Sequence, residues 1–475
     1  MPVFPYSPID LSRDAIRIVR LYQGTFVPDI RCELIETFLS ELDGVPYEAL
    51  SYTWGGDPLT EDGAQIVLND RKVSVTTNLF EALMSLRLPD RDRILWVDAL
   101  CIDQANDQEK GHQVGQMRLV YQHAESVLIW LGQCMPQVEY AMEMMAILDK
   151  RALQHSDYKK HPLQVWSKES SELKLGSDCE VATGFKYLLA RPWFQRIWVL
   201  QEVACARSAT VVCGTHAVSS RTFAFMPTLL EGQHWDQQID AKAVLELMPG
   251  PMRRESWFSE DRTLATLLKK FELCQASVKL DHIYALLGIS SDASDPQRFP
   301  PTYSLTMGEL IQNTISFFLF GRIPEDATTE INHLYIDQLP DWDLPELVHT
   351  LRKPGPFWMH VFDWAVARYR DDLILGLVHS RVFDAHTIMS DSLVAPATVL
   401  AYRILTDLEP PSLDKALSDR KYWFQYWWSS PEARKYAPGS LVYLANDYRA
   451  PKFLQRLVDL RSEVFAIGSS NITQG

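Results

Sequence analysis

The chain has 475 residues, 47% of them apolar and 23% charged, with 14 Trp, 18 Tyr and 20 Phe. That is enough apolar mass for two or three domains, or for one large domain with appendages. The net charge of −15 and the lack of any dense basic run exclude nucleic-acid backbone binding as the main task.

The seven cysteines, Cys32, Cys101, Cys134, Cys179, Cys205, Cys213 and Cys274, are scattered and show no CxxC spacing. Neither a disulfide framework nor a zinc site is expected, and reduced thiols fit a cytoplasmic location. The N-terminus has no basic stretch followed by an apolar run, so no signal peptide is expected. Apolar patches such as 315–321 are too short to span a bilayer.

Ile16 to Leu21 alternates loosely and reads as a strand. Tyr47 to Trp54 reads as a buried strand stopped by the turn residues Gly55, Gly56, Asp57 and Pro58. Ile66 to Val75 is a hairpin pattern around Asn69-Asp70. Asn78 is placed to cap the next helix, with Leu79, Ala82, Leu83 and Leu86 as its apolar face. Ile94 to Ile102 is a near-continuous apolar run, as for a strand covered on both faces, and Asp98 interrupts it. Asn106 and Glu109 open another helix with the stripe Val114, Met117, Tyr121 and Ala124. Val127 to Leu131 is a further strand. Strand, helix and strand with short links predict a βαβ unit and a parallel sheet.

From Cys134 to about Gly184 the pattern reads as an insertion: a helical piece from Tyr140 to Leu148, then a polar, peripheral or mobile stretch. Phe185 to Ala206 returns to helix, split by Pro192, and Ala209 to Cys213 is a strand. Helical segments follow near 223–230 and 264–273. Asp281 to Gly288, then Pro300 to Phe318, read as a turn followed by helix. Trp358 to Tyr369 and Tyr422 to Trp428 read as aromatic helices.

The twelve residues Arg191 to Glu202, RPWFQRIWVLQE, hold the sharpest chemical signal. Glu202 follows Trp198 by four residues, so the two share a helix face. Arg191 and Arg196 flank Trp193. A carboxylate among indoles and guanidinia is costly to desolvate unless paired or used. Glu202 is therefore either a structural ion pair with Arg191 or Arg196, or a working acid. Trp193 and Trp198 are core aromatics or ligand stackers. Asp98 needs partners in its apolar strand, and capping a neighbouring loop serves that need as well as substrate does. Asp107 and Glu109 suit a helix N-terminus. Cys101 reads as an inert buried thiol. His112 and His123 share a face, but no third ligand is near, so no metal is expected.

YEALSYTWGGDP, TTNLFEALMSLR, LWVDALCIDQANDQEKGHQVGQMRLVYQHAESVLIWLG and RPWFQRIWVLQEVACARSATVVCG, in that order, resemble the fungal heterokaryon incompatibility (HET) domain. DHIYALLG followed by PPTYS resembles the segment that often trails it. Asp103 stands where the family usually has Asn, and LPDW at Leu339 to Trp342 matches the family's downstream Trp-Pro pattern only in part. The resemblance implies an N-terminal strand-containing segment over 1–46, the HET domain over 47–214 with its insertion at about 134–184, a helical extension over 215–330, and a mostly helical, aromatic-rich region over 331–475. It implies a role in allorecognition and regulated cell death, with self-association or another incompatibility protein as partner.

HET domains also resemble Toll/interleukin receptor (TIR) domains. The likeness implies an α/β fold: a TIR-like parallel sheet flanked by helices. It assigns Ser51 and Tyr52 to the end of the first strand, Asp98 to a later strand, and Trp198 and Glu202 to a helix. In TIR domains that cleave NAD this Glu is catalytic, so Glu202 is the candidate catalytic residue. Ser51, Tyr52, Trp54, Asp98 and Trp198 are the candidate substrate-binding residues. Cleaving the nicotinamide–ribose bond passes through an oxocarbenium-like state that one carboxylate can stabilise. Trp198 can stack on the cationic nicotinamide ring. No Walker sequence or GxGxxG follows a strand, so NAD is expected as a substrate and no bound cofactor is expected. The alternative is a non-enzymatic signalling module that assembles and triggers death through partners.

Overall fold

The segments Ala15–Leu21 (β1), Arg31–Phe38 (β2), Glu48–Ser51 (β3), Gln65–Leu68 (β4), Arg71–Ser74 (β5), Arg93–Trp96 (β6), Ser126–Trp130 (β7), Ala209–Cys213 (β8) and His216–Ser219 (β9) join into one sheet, in the order β5-β4-β2-β1-β6-β3-β7-β8-β9. This computed structural model describes residues 4–25, 29–41, 46–54, 64–158, 160–175, 179–230, 239–254, 256–259, 262–323, 343–352 and 361. The chain divides into two compact units, Met1–Leu305 and Thr306–Gly475, and the sheet lies in the first.

The centre of the sheet, β6-β3-β7-β8, is parallel throughout. Its flanks are mixed: β1 runs antiparallel to both β2 and β6, and β9 folds back on β8. The fold is α/β. The antiparallel flanks go beyond what the βαβ pattern foretells.

From β3 the chain passes through helix α1 (Thr77–Leu86) to β6 on one side. It then passes through α2 (Asp98–Cys101) and α3 (Asp107–His123) to β7, on the other side of β3. Direction therefore reverses at β3. Open α/β sheets bind ligands at such a reversal, beyond the carboxyl ends of the strands.

Local chemistry explains most elements. Asn69 and Asp70 both take positive φ, 47° and 60°, as a tight β4–β5 turn requires. The α1 face Leu79, Ala82, Leu83 and Leu86 is buried as its spacing foretells. Its cap, however, is Thr76, whose hydroxyl accepts from Leu79 N. Asn78 has other work: its Nδ2 donates to Thr53 O and its Oδ1 accepts from Trp130 Nε1, each at 2.9 Å. Asn106 does cap α3, accepting from Gln108 N and Glu109 N. The run at 94–102 is not one strand. It breaks after Trp96, and Asp98 opens the four-residue helix α2.

The segment 134–184 contains more packed structure than its polarity suggests. Helix α4 (Pro136–Gln154) buries Met142, Met145 and Leu148, and α5 (Pro162–Glu172) fully buries Trp166. Helix α6 (Cys179–Leu189) packs closely on α4. There Gly184 leaves no room for a side chain, since a Cβ would lie 2.2 Å from Gln137 O. The first unit continues through α7 (Trp198–Ala204), α8 (Ser220–Leu229), α9 (Ile239–Leu247), α10 (Pro251–Arg254), α11 (Leu264–Lys270) and α12 (Asp281–Leu287). DHIYALLG is thus helix rather than turn.

In the second unit α13 (Met307–Phe320) starts at a Thr306–Glu309 capping box and ends at Gly321 with φ 67°. It contacts α14 (Leu344–Arg352). The expected turn at 55–58, the motif at 339–342, the helix at 422–428 and, apart from residue 361, the helix at 358–369 lie outside the described residues.

One buried ion pair ties β1 to α3. Arg17 and Glu109, with side chains each 3% exposed, meet through both guanidinium nitrogens at 2.5 and 3.0 Å. Arg17 also donates to Cys101 O and Ser7 O, and Glu109 accepts from Asp103 N. Glu109 does more than favour a helix N-terminus. Glu109→Ala would leave the Arg17 charge buried and unpaired, and the expected loss in chemical unfolding is about 3–5 kcal/mol. The double variant Arg17→Met with Glu109→Leu is expected to recover most of that loss. Equal losses in single and double variants would contradict this reading.

Candidate functional site

Ser51 is the last residue of β3, and its hydroxyl is the meeting point of three elements. Its Oγ–H donates to Glu202 Oε2 on α7. Its Oγ accepts from Trp193 Nε1 at 2.8 Å, from the short 3-10 helix Pro192–Gln195. Arg196 follows that helix. It donates to Tyr52 O and stands 3.8 Å from Glu202 Oε1. The segment is held from the other side too: Gln275 N donates to Gln195 O at 2.6 Å, and Ile197 N to Gln275 O at 3.0 Å.

In front of this node lies a cleft of about 240 Å³ at the carboxyl ends of β3 and β6. Trp54, Asp98, Lys110, Arg196, Trp198 and Tyr303 are on its walls. Trp54 is 38% exposed, and its Nε1 donates to Asp98 Oδ2 at 2.7 Å. Asp98 also accepts from Ala99 N at 2.7 Å and from the Tyr52 hydroxyl. On the facing wall Trp198 Nε1 donates to Asp281 Oδ2 at 2.9 Å, and Tyr303 donates to Asp281 Oδ1 at 2.6 Å. Lys110 sits over the Tyr303 ring at 4.0 Å.

The six residues singled out by sequence divide into two layers. Trp54, Asp98 and Trp198 line the cleft. Ser51, Tyr52 and Glu202 lie behind it, buried, and Glu202 is only 1% exposed. Arg196 belongs to both layers, since it lines the cleft and faces Glu202. Arg191 does not take part and donates instead to Gln133 O at 2.8 Å. Trp198 and Glu202 are one turn apart yet reach different partners, because α7 lies between the cleft and β3. Trp193 is fully buried. Asp103 accepts from Ala105 N in the turn before α3, which an Asn side-chain oxygen would do as well.

Lys110, Asp281 and Tyr303 were not foreseen as site residues. A signal for two of them existed: Asp281 opens DHIYALLG, and Tyr303 lies in PPTYS. No spacing rule links those motifs to Trp54 or Trp198. The contact forms only when the chain returns, and Trp198 and Asp281 are 83 residues apart.

Burial dominates the electrostatics. It raises the Glu202 carboxyl from 4.5 to about 7, against the lowering effects of Arg196 and the Ser51 hydroxyl. It raises Asp98 too, again opposed by Arg196. One guanidinium thus stands against two desolvated carboxyls. The Tyr52 hydroxyl is pushed well up by burial and by Asp98, so it stays a donor. Asp281 is raised by burial and held partly in check by Tyr303 and Trp198.

Residues 47–202 match the family model of the heterokaryon incompatibility protein (HET). Heterokaryon incompatibility protein 6, OR allele, from Neurospora crassa is 26% identical over 364 residues, which cover 66% of this chain and 53% of the relative. The chain therefore spans about half the length of the curated relative it matches. No solved structure matches. The Ser51–Glu202 node and most of the cleft walls fall within the matched stretch, residues 47–202.

The raised Glu202 carboxyl carries a pH signature. Between 4.5 and about 7 the folded chain holds a proton there that the unfolded chain has lost. Stability from this group is thus present at low pH and lost as pH rises through that window. Glu202→Gln removes the titration. The stability of the wild type relative to the variant is expected to fall by on the order of 3 kcal/mol between about pH 4.5 and about pH 8. Urea unfolding of both proteins across that range measures it, and a flat difference would contradict the burial described here.

Proposed function

We propose that this HET-domain chain acts in heterokaryon incompatibility, the process for which its N. crassa relative is named, and that its cleft is the latent site of a TIR-like NAD-cleaving enzyme. The observation that carries the reading is the place of Arg196. It lines the cleft on one side and covers Glu202 on the other, at the carboxyl end of the strand where the sheet reverses direction.

The resting arrangement is closed. A cleft of about 240 Å³ is smaller than the roughly 300–1,000 Å³ of most small-ligand sites. It admits one end of a dinucleotide. Trp198 and Trp54 offer flat faces to a cationic nicotinamide ring. Movement of Arg196 away from Glu202 would open the carboxylate to the cleft. Hydration there would lower its pKa and leave it ionised at neutral pH. The ionised Glu202 then stabilises the oxocarbenium-like ribose while nicotinamide leaves as a neutral molecule. Water adds to the anomeric carbon, giving ADP-ribose and a proton. Clustering with itself or with another incompatibility protein supplies the trigger, since free NAD loss would kill the cell that makes the protein.

A second reading draws on the burial of Glu202. An acid 1% exposed and bonded to Ser51 and Arg196 also suits a structural strut in a non-enzymatic module that signals by assembly. Forced oligomerisation of the purified protein separates the two. With NAD added, the wild type is expected to release nicotinamide. Glu202→Gln is expected to release it at least about 100-fold more slowly, as for loss of a principal charge stabiliser. Equal release from both would mean that Glu202 has no catalytic role, and no release from either would leave the non-enzymatic module as the function.

A further inference from the structure

No basic run exists in the sequence, yet the fold assembles one in space. Six arginines, 118, 207, 221, 253, 254 and 262, line one cleft of about 1000 Å³ in the first unit, with Lys160 and His161 beside them. No carboxylate is among its described lining residues. In a chain of net charge −15, a concave surface with this balance is the reverse of the average surface.

The guanidinia do not neutralise one another's cost. Arg253 is fixed as a strut, donating to Leu247 O at 2.7 Å, Val203 O at 2.6 Å and Ala206 O at 3.3 Å. Those carbonyls hold the group, and among the described residues no acid pairs with its charge. Arg262 lies 4.2 Å over the Phe258 ring, and its Nε is buried with no acceptor among the described residues. Burial and the nearby Arg118 charge both disfavour its ionised form. Arg118, Arg253 and Arg262 all surround Cys205, but burial pushes that thiol up to about 11, so it supplies no counter-charge at neutral pH. Among the described residues none of the six pairs with an acid. Crowded guanidinia without acids are stabilised by a bound anion, and arginine forks match phosphate oxygens two at a time.

We propose that this cleft is a binding site for a small anion bearing two or more phosphate groups, such as a nucleoside triphosphate or an inositol polyphosphate. Its volume suits such a molecule. The strongly negative chain as a whole repels extended polyanions and anionic lipid surfaces, so a compact ligand held inside the cleft is favoured over either. This site is separate from the one proposed for NAD. The two clefts share no lining residue, although α3 and α7 contribute to both: Lys110 and Trp198 to one, Arg118 and Ala204 to the other.

Titration calorimetry on the purified full chain tests it, with pyrophosphate, ATP and inositol hexakisphosphate as probes. Arg118, Arg207 and Arg221 are exposed, so their serine variants are expected to keep the fold, checked by circular dichroism melting. At least one probe is expected to bind. Each of Arg118→Ser, Arg207→Ser and Arg221→Ser is expected to weaken binding by roughly tenfold. Lys150→Ser, outside the cleft, is expected to change it less than about twofold. The probe that binds most tightly distinguishes nucleotide from inositol phosphate as the natural source. Absence of binding by all three at millimolar concentration, unchanged affinity in the arginine variants, or tighter binding of a single-stranded oligonucleotide would overturn the proposal.

Discussion

The hydrogen bond from Ser51 to Glu202 is the constraint on which the rest of the site depends. Ser51 ends a parallel strand in the middle of the sheet, and Glu202 sits on a helix that reaches it only after the chain has passed through α4, α5 and α6. Trp193 closes the same hydroxyl from a third direction. A small polar residue is needed there. Its oxygen accepts one hydrogen bond and donates another within a space that a larger side chain would fill. With that node in place, the backbone after β3 is set, Tyr52 O is offered to Arg196, and Trp54 is turned outward to meet Asp98.

Two carboxyls, Asp98 and Glu202, are thus drawn to one arginine. The arrangement costs desolvation energy, and apolar residues of similar size are often as stable in such positions. The cost is offset by geometry on each side: hydroxyl and indole donors for the acids, a backbone carbonyl for the guanidinium. Arg196 serves both at once, facing Glu202 at 3.8 Å while it lines the cleft. The acid itself is out of reach of water, only 1% exposed.

Periodicity in the sequence carried what depends on neighbours along the chain. The buried face of α1, the Asn106 cap, the β4–β5 turn and the βαβ core all follow from spacing and turn chemistry. What failed did so for identifiable reasons. Asn78 looks like a cap because its side chain can accept from a helix N-terminus, but Thr53 and Trp130 compete for it and win. Asp98 looks like a flaw in a strand because its run is apolar, yet the strand is only four residues long and the Asp starts a helical turn. The polar stretch after α4 hides Trp166, one buried anchor among charged residues that face outward. Arg17 in β1 gives no sign in sequence that its partner is Glu109, 92 residues on. Of the site, the acid, its arginine and the cleft tryptophans could be read from RPWFQRIWVLQE and SYTW. The order of the layers could not, because which side of α7 faces β3 is decided by packing. The basic cleft escaped for the same reason: its arginines are neighbours only after folding.

The closed site requires Glu202 to be desolvated behind Arg196, and a direct titration of that side chain tests it. Carbon-13 resonances of labelled glutamate carboxyls can be followed with pH, with Glu202→Gln identifying the signal. The resting protein is expected to show a midpoint near 7 for Glu202. A midpoint at the ordinary value of 4.5 would mean that the carboxylate is already hydrated, and would contradict the closed site.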